Sequence, residues 1–87
     1  MTTTYIIRGK SNFHYCGITN QIEKRITQHN TGNSKSTRKN KPYALIYTEQ
    51  FETRIKARQR EKQIKNQGVQ KWYNKNVKWK NPIVQNH

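Results

Sequence analysis

Tyr15-Cys16-Gly17-Ile18-Thr19-Asn20-Gln21-Ile22-Glu23-Lys24-Arg25-Ile26-Thr27-Gln28-His29 is the stretch from which the fold can be read. Its first six residues alternate as a strand does. From Gln21 to about Asn30 the pattern changes to helical spacing, with Ile22, Arg25, Ile26 and His29 on one stripe. Asn20 and Glu23, three residues apart, have the form of a capping box, so a strand is expected to feed directly into a helix. The stripe carries an arginine and a histidine beside two isoleucines, and charged groups are rarely left buried without a partner. Two readings fit this segment equally: Arg25 lies at the edge of the stripe and extends to water, or it serves a site.

Outward from that stretch, Thr3 to Arg8 is rich in β-branched and aromatic residues, and Gly9-Lys10-Ser11-Asn12 forms a turn cluster before Phe13 to Ile18. The segment reads as a hairpin. A loop of three or five residues brings Tyr5 and Tyr15 to one face, and a three-residue loop at Gly9 to Ser11 would set them directly opposite; an odd loop is expected. Thr31 to Pro42 has no periodicity and reads as a mobile basic loop, suited to phosphate contact or simply solvated. Tyr43 to Phe51 alternates as a third strand, with Tyr43, Leu45, Tyr47 and Phe51 on one side. From Thr53 a second helix places Ala57, Glu61, Ile64 and Gly68 on one stripe. A further basic helix over Val69 to Lys78 has Val69, Trp72, Tyr73 and Val77 as its apolar edge. Its tryptophans could stack on bases, but a core short of apolar residues is the stronger claim on them. Residues 1–80 are expected to form one domain and residues 81–87 a tail.

The charge narrows the partners. Eighteen Lys and Arg stand against four acids, net +14, in 87 residues of which 30% are hydrophobic. Such an excess attracts polyanions, nucleic acid first and anionic membrane a weaker second, although a small ribosomal or chromatin-like protein would share it. Lys24, Arg38, Lys39, Lys41, Arg58 and Lys65 are the candidate phosphate contacts. The lone Cys16 excludes an internal disulfide framework and a multi-cysteine zinc site. With no basic leader ahead of an apolar run and no apolar stretch able to span a bilayer, an intracellular protein is expected, cytoplasmic, or nuclear in a eukaryotic or viral setting, with no membrane partner.

Tyr5, Tyr15, Arg25, His29 and Glu61 are polar residues at inward positions, expected to converge on one side of a small sheet. Phosphodiester hydrolysis accounts for the set. Glu61 can offer an oxygen to a hard divalent cation, although a salt bridge to Lys56, Arg58, Arg60, Lys62 or Lys65 is an available structural explanation. Arginine presents a planar fork to phosphate. One tyrosine could serve as base for the attacking water while the other holds that water in line. A two-metal nuclease needs several clustered carboxylates, and Glu23, Glu49, Glu52 and Glu61 are all the acids here. One ion at most fits.

In this order and at these spacings the motifs resemble the GIY-YIG nuclease family, in particular its small single-domain members. Tyr5 within Thr4-Tyr5-Ile6-Ile7-Arg8 matches the first half-motif and Tyr15-Cys16-Gly17 the second. Arg25 and His29 match the Arg-x-x-x-His helix, continued by Asn30-Thr31-Gly32, and Arg60 to Lys65 matches the segment with the metal-binding glutamate; Asn81-Pro82 is a weaker echo. Thr3 and Thr4 stand where the first half-motif has its glycine, and Cys16 replaces the isoleucine of the second. The resemblance implies an α+β fold with a three-stranded antiparallel sheet flanked by helices, and one Mg2+ or Mn2+ ion on Glu61. It further implies Arg25 as the phosphate contact and tyrosine-assisted attack by water on duplex or branched DNA. Structure-selective or weakly sequence-selective cutting is expected, assisted by a protein partner or a homodimer and serving repair or recombination. The alternative is a catalytically idle basic nucleic-acid-binding module. Asn74 and Asn76 are both candidates for the asparagine that many members carry beyond the glutamate, and that role stays unassigned.

Overall fold

The computed structural model describes residues 1–35 and 37–78; Asn81-Pro82 and the expected boundary between domain and tail lie outside the described residues. Three strands, β1 (Thr2–Arg8), β2 (His14–Thr19) and β3 (Ala44–Phe51), form an antiparallel sheet in the order β2-β1-β3. Helix α1 (Ile22–Asn30) follows β2, and α2 (Arg54–Gln67) and α3 (Val69–Asn76) follow β3. The fold is α+β, as the sequence led us to expect.

The central strand explains the architecture. Thr2 to Ile7 is buried throughout, because β1 is paired on both edges and covered on both faces. Its odd residues Tyr5 and Ile7 pack with Tyr15, Tyr43, Ile22 and Ile26. Its even residue Ile6 packs with Cys16, Ile64 and Trp72, flanked by Ile46, Tyr47, Val69, Tyr73 and Val77. Thr4, also on the even side, ties β1 to α2 by donating its hydroxyl hydrogen to the Ala57 carbonyl at 2.9 Å. Trp72 therefore belongs to the core, 6% exposed, with the Arg60 guanidinium over its ring.

The hairpin register places Tyr5 opposite Gly17 and Tyr15 opposite Ile7. The two tyrosines share a face, as expected, but the loop is the five-residue Gly9 to Phe13, so they are diagonal rather than directly opposite. Ser11 and Asn12 take left-handed backbone (φ 58° and 61°) to close it. In β3 a bulge breaks the expected single-sided alternation. Ile6 pairs with Tyr47 but Ile7 with Leu45, leaving Ile46 as the extra residue. Tyr43 accordingly packs on the α1 face while Tyr47 faces α2 and α3.

The helix ends partly depart from the sequence reading. Gln21 rather than Asn20 precedes α1, no side chain caps it, and Glu23 is exposed; the Thr19 hydroxyl instead accepts from the Gln21 N–H at 3.0 Å. Helix α2 starts as expected, the Thr53 hydroxyl accepting from the Lys56 N–H. It stops at Gly68, whose φ of +94° an L side chain rarely adopts. The segment expected to be a mobile loop is anchored at two points: Thr37 is wholly buried and Ser34 nearly so, residues Arg38–Asn40 form a single 3-10 turn, and Thr31, Asn33, Lys35, Arg38, Lys39, Lys41 and Pro42 are exposed. Among the described residues no helix is long and apolar enough to cross a membrane.

Candidate active site

The site is assembled on the α1 face, at the open edge of β2. Tyr5, Tyr15, Arg25 and His29 meet there. Tyr5 is fully buried, and its hydroxyl lies 2.8 Å from His29 Nε2 and accepts from Arg25 Nε at 3.4 Å. Gly17 makes this closeness possible, because a Cβ at that position would stand 2.6 Å from the Tyr5 hydroxyl oxygen and 3.2 Å from the Tyr15 ring. Tyr15 is half-buried and its ring meets that of His29 edge-on at 5.3 Å between centroids.

His29 is the hub. It is fully buried, with Tyr5 at one ring nitrogen and the Thr37 hydroxyl 2.7 Å from the other, and it also contacts the Tyr43 ring. Burial, helped by the nearby positive charge of Arg25, brings its pKa down to about 4, so the ring is neutral near pH 7. Burial pushes the Tyr5 phenol up to about 12, against the opposing pull of Arg25. Arg25 is pushed further above its ordinary range, chiefly by its hydrogen bond to Tyr5, and its Nη1 donates to Gln28 Oε1 at 3.0 Å. Half-buried, it faces a polar recess of about 160 Å3 lined also by Thr19, Asn20, Gln21, Lys24 and Gln28.

Glu61 arrives from the other side. Its helix, α2, packs on the Ile6/Cys16 face through Ile64, so the five residues do not share one side of the sheet as the sequence reading had it. The reason is the stripe itself: Ala57, Glu61 and Ile64 share a helix face, and the two apolar members bind that face to the even side of β1 and β2. Glu61 lies close enough to Cys16 for its charge to reinforce burial in raising the thiol to about 12. With its side chain 17% exposed, it is turned inward and paired with Lys65 Nζ at 3.1 Å, the salt bridge the sequence reading had allowed for. Lys65 completes the connection, since the same ammonium stands 5.5 Å from the Tyr15 ring centroid. The carboxylate and the tyrosine thus approach each other around the β2 edge.

Of the basic candidates, Lys24 lines the recess beside Arg25 and Lys65 adjoins Tyr15, whereas Arg38, Lys39 and Lys41 ride exposed on the segment that carries Thr37, and Arg58 is exposed on α2. Asn76 donates to the Trp72 carbonyl and Asn74 is exposed. Sequence reasoning missed Thr37, Gln28 and Asn30. Asn30 clamps the start of β3, accepting from the Tyr43 N–H at 2.6 Å and donating to its carbonyl. Parity along the hairpin could have exposed the role of Gly17. A threonine in a polar loop carries no comparable signal.

A single carboxylate is a hard oxygen donor of the kind Mg2+ accepts along with retained waters and substrate phosphate. Glu61 fits that role, its present counter-ion being an exposed, displaceable lysine. Among the described residues no group of three or more His, Cys, Asp or Glu could hold an ion, so this donor set suits a water-rich divalent cation and not a closed protein cage.

Residues 1–76 match the family model described as the GIY-YIG catalytic domain. The chain is 41% identical over 86 residues to a UPF0213 protein of Clostridium perfringens, covering 93% of this chain and 92% of that one. To one of Staphylococcus saprophyticus it is 41% identical over 68 residues, 77% of this chain and 83% of that one. Among solved structures, the solution NMR structure of a UPF0213 protein of Bacillus halodurans is similar, with a TM-score of 0.57 and 29% identity over 92% of this chain and 86% of that one.

Proposed function

The chain belongs to the GIY-YIG catalytic-domain family, a nuclease family with nucleic-acid substrates that generally uses a divalent metal, and from that premise we propose that it is a metal-dependent DNA endonuclease. The observation that carries this reading is the meeting of Tyr5, Tyr15, Arg25 and His29 at the edge around which Lys65 links Glu61 to Tyr15. Arg25 contacts the scissile phosphate. Its Nε and Nη1 are held by Tyr5 and Gln28, so the guanidinium is oriented before substrate arrives and its remaining N–H groups are available for phosphate oxygens.

Burial favours Tyr15 over Tyr5 as the group that meets the attacking water, because Tyr5 is 0% exposed and Tyr15 is not. Tyr15, having first given its phenolic proton to solvent, accepts the water's proton and returns to the neutral phenol, while the positive charge of Arg25 beside it stabilises the negative charge that builds on the phosphate. Tyr5 and His29 hold that arrangement from behind. Glu61 holds the metal ion, which when bound supplies Lewis-acid stabilisation of phosphate charge. Lys24 and Lys65 beside the site, and Arg38, Lys39, Lys41 and Arg58 further out, track the DNA backbone. Residues 1–80 act as one intracellular nuclease domain, with selectivity for DNA shape supplied by a protein partner or a homodimer.

A second reading, a non-cleaving binding module, draws on the Glu61–Lys65 ion pair, which gives the acid a structural partner without any metal. The test is incubation of the folded chain with plasmid, linear, nicked, flapped and four-way DNA with and without Mg2+ or Mn2+. Metal-dependent cleavage is expected, strongest on branched forms and lost in Arg25→Ala. Binding to every form with no cleavage of any would leave only the second reading.

A further inference from the structure

The polarity of the hydrogen bonds around His29 can be worked out from its partners. A neutral imidazole has one N–H and one lone pair. His29 Nε2 faces the Tyr5 hydroxyl at 2.8 Å and Nδ1 faces Thr37 Oγ1 at 2.7 Å, and all three residues are 0% exposed. Arg25 Nε already donates to the Tyr5 oxygen. The hydrogen of that buried phenol needs an acceptor of its own, and among the described residues His29 Nε2 is the acceptor at hydrogen-bonding distance. The Thr37 hydroxyl hydrogen has a like claim on Nδ1, and one lone pair cannot serve both; but the Tyr5 oxygen already takes the Arg25 Nε–H, whereas among the described residues no donor other than His29 reaches Thr37 Oγ1. The polarity that spares the Tyr5 oxygen a second donor puts the lone pair on Nε2 and the proton on Nδ1, with Thr37 Oγ1 accepting it.

We infer that Thr37 is a positioning residue that acts on Arg25 through His29 and Tyr5. By accepting the Nδ1–H, Thr37 fixes the His29 tautomer whose Nε2 takes the Tyr5 hydrogen. That leaves the Tyr5 lone pairs directed at Arg25 Nε, so the guanidinium is aimed outward. A chain of one donor polarity, Arg25 to Tyr5 to His29 to Thr37, runs from the protein surface to a residue with no route to substrate. Reverse the tautomer and Nε2–H competes with Arg25 for the same phenol oxygen, while the phenol hydrogen loses its acceptor. Buried networks of this kind hold one geometry only while every member is satisfied. The catalytic consequence rests on Arg25 as the phosphate contact; the tautomer does not.

The test is 15N NMR of the full chain, which reads the protonated imidazole nitrogen directly, combined with exchange of the Arg25 Nε–H. In the wild type the His29 proton is expected on Nδ1. Thr37→Val, similar in shape but without the acceptor, should shift the tautomer toward Nε2–H and speed Arg25 Nε–H exchange by about tenfold, roughly the worth of one buried hydrogen bond. Thr37→Ser should restore both, with cleavage following the same order. A wild-type proton on Nε2, or a folded Thr37→Val with unchanged tautomer and exchange, overturns the inference. If Thr37→Val does not fold, the wild-type tautomer and its persistence in Thr37→Ser decide. A confirmed tautomer in a chain that cuts no DNA would uphold the Thr37 assignment and remove the endonuclease reading instead.

Discussion

Tyr5 and Ile6 are neighbours on one strand, equally buried, and they serve two different interiors. The face under α2 and α3 is closed with Ile6, Cys16, Ile64 and Trp72. The face under α1 also buries its residues but fills much of the space with phenols, an imidazole and an arginine joined by hydrogen bonds. In a small domain with few apolar residues this division is costly, because every polar group sealed into the second face needs a partner to offset its lost hydration. The difference teaches how the two faces divide the work: the dry face holds the sheet and, through α2, brings Glu61 to the β2 edge, whereas the polar face devotes its side chains to orienting Arg25.

The largest expected contrast comes from cutting into each face at those neighbours. Ile6→Ala should destabilise the fold by about 2–5 kcal/mol through transfer and cavity terms, with the activity of the molecules that remain folded unchanged. Tyr5→Phe keeps the ring and removes only the hydroxyl, so it should cost about 1–3 kcal/mol while releasing Arg25 and lowering cleavage. Denaturant unfolding paired with single-turnover cleavage checks both. Equal effects of the two changes on activity per folded molecule would erase the distinction between the faces.

A second contrast is in pH. The folded His29 pKa of about 4 lies below the ordinary 6.5, so between those values the unfolded chain binds a proton that the folded chain does not. Stability should therefore fall as the pH drops from about 6.5 towards 4. The decline should be shallower in His29→Gln, measured by chemical unfolding at stepped pH; identical slopes would mean the imidazole is not held neutral. The smallest contrast is at the helix starts. Thr53→Ala should cost about 1 kcal/mol by removing an observed cap, whereas Glu23→Gln should change stability by less than about 0.5 kcal/mol because that side chain is exposed and caps nothing.

The strands, the helices and the shared face of the two tyrosines could be read from periodicity, because each is written into local spacing. The inward set of the site was legible for the same reason. What escaped were features decided by tertiary pairing. The bulge at Ile46 depends on how β3 registers against β1, so the single-sided reading of Tyr43, Leu45, Tyr47 and Phe51 could not survive it. The anchoring of Thr37 depends on its buried hydroxyl meeting His29, which composition cannot reveal. Glu61 was correctly read as inward, but which face of the sheet its helix would cover is fixed by Ile64 and Ala57 meeting β1, a contact between segments far apart in the chain.

The measurement closest to the centre of the account is cleavage of branched DNA by Glu61→Gln beside the wild type, with Mg2+ present and DNA binding followed on the same samples across a salt series. Cleavage should fall by about a hundredfold or more, the scale of losing a principal electrostatic element of a site, while binding and its salt dependence persist because the cationic surface is intact. Undiminished cutting by Glu61→Gln would contradict the account, since the acid paired with Lys65 would then be structural and the chemistry would lie elsewhere.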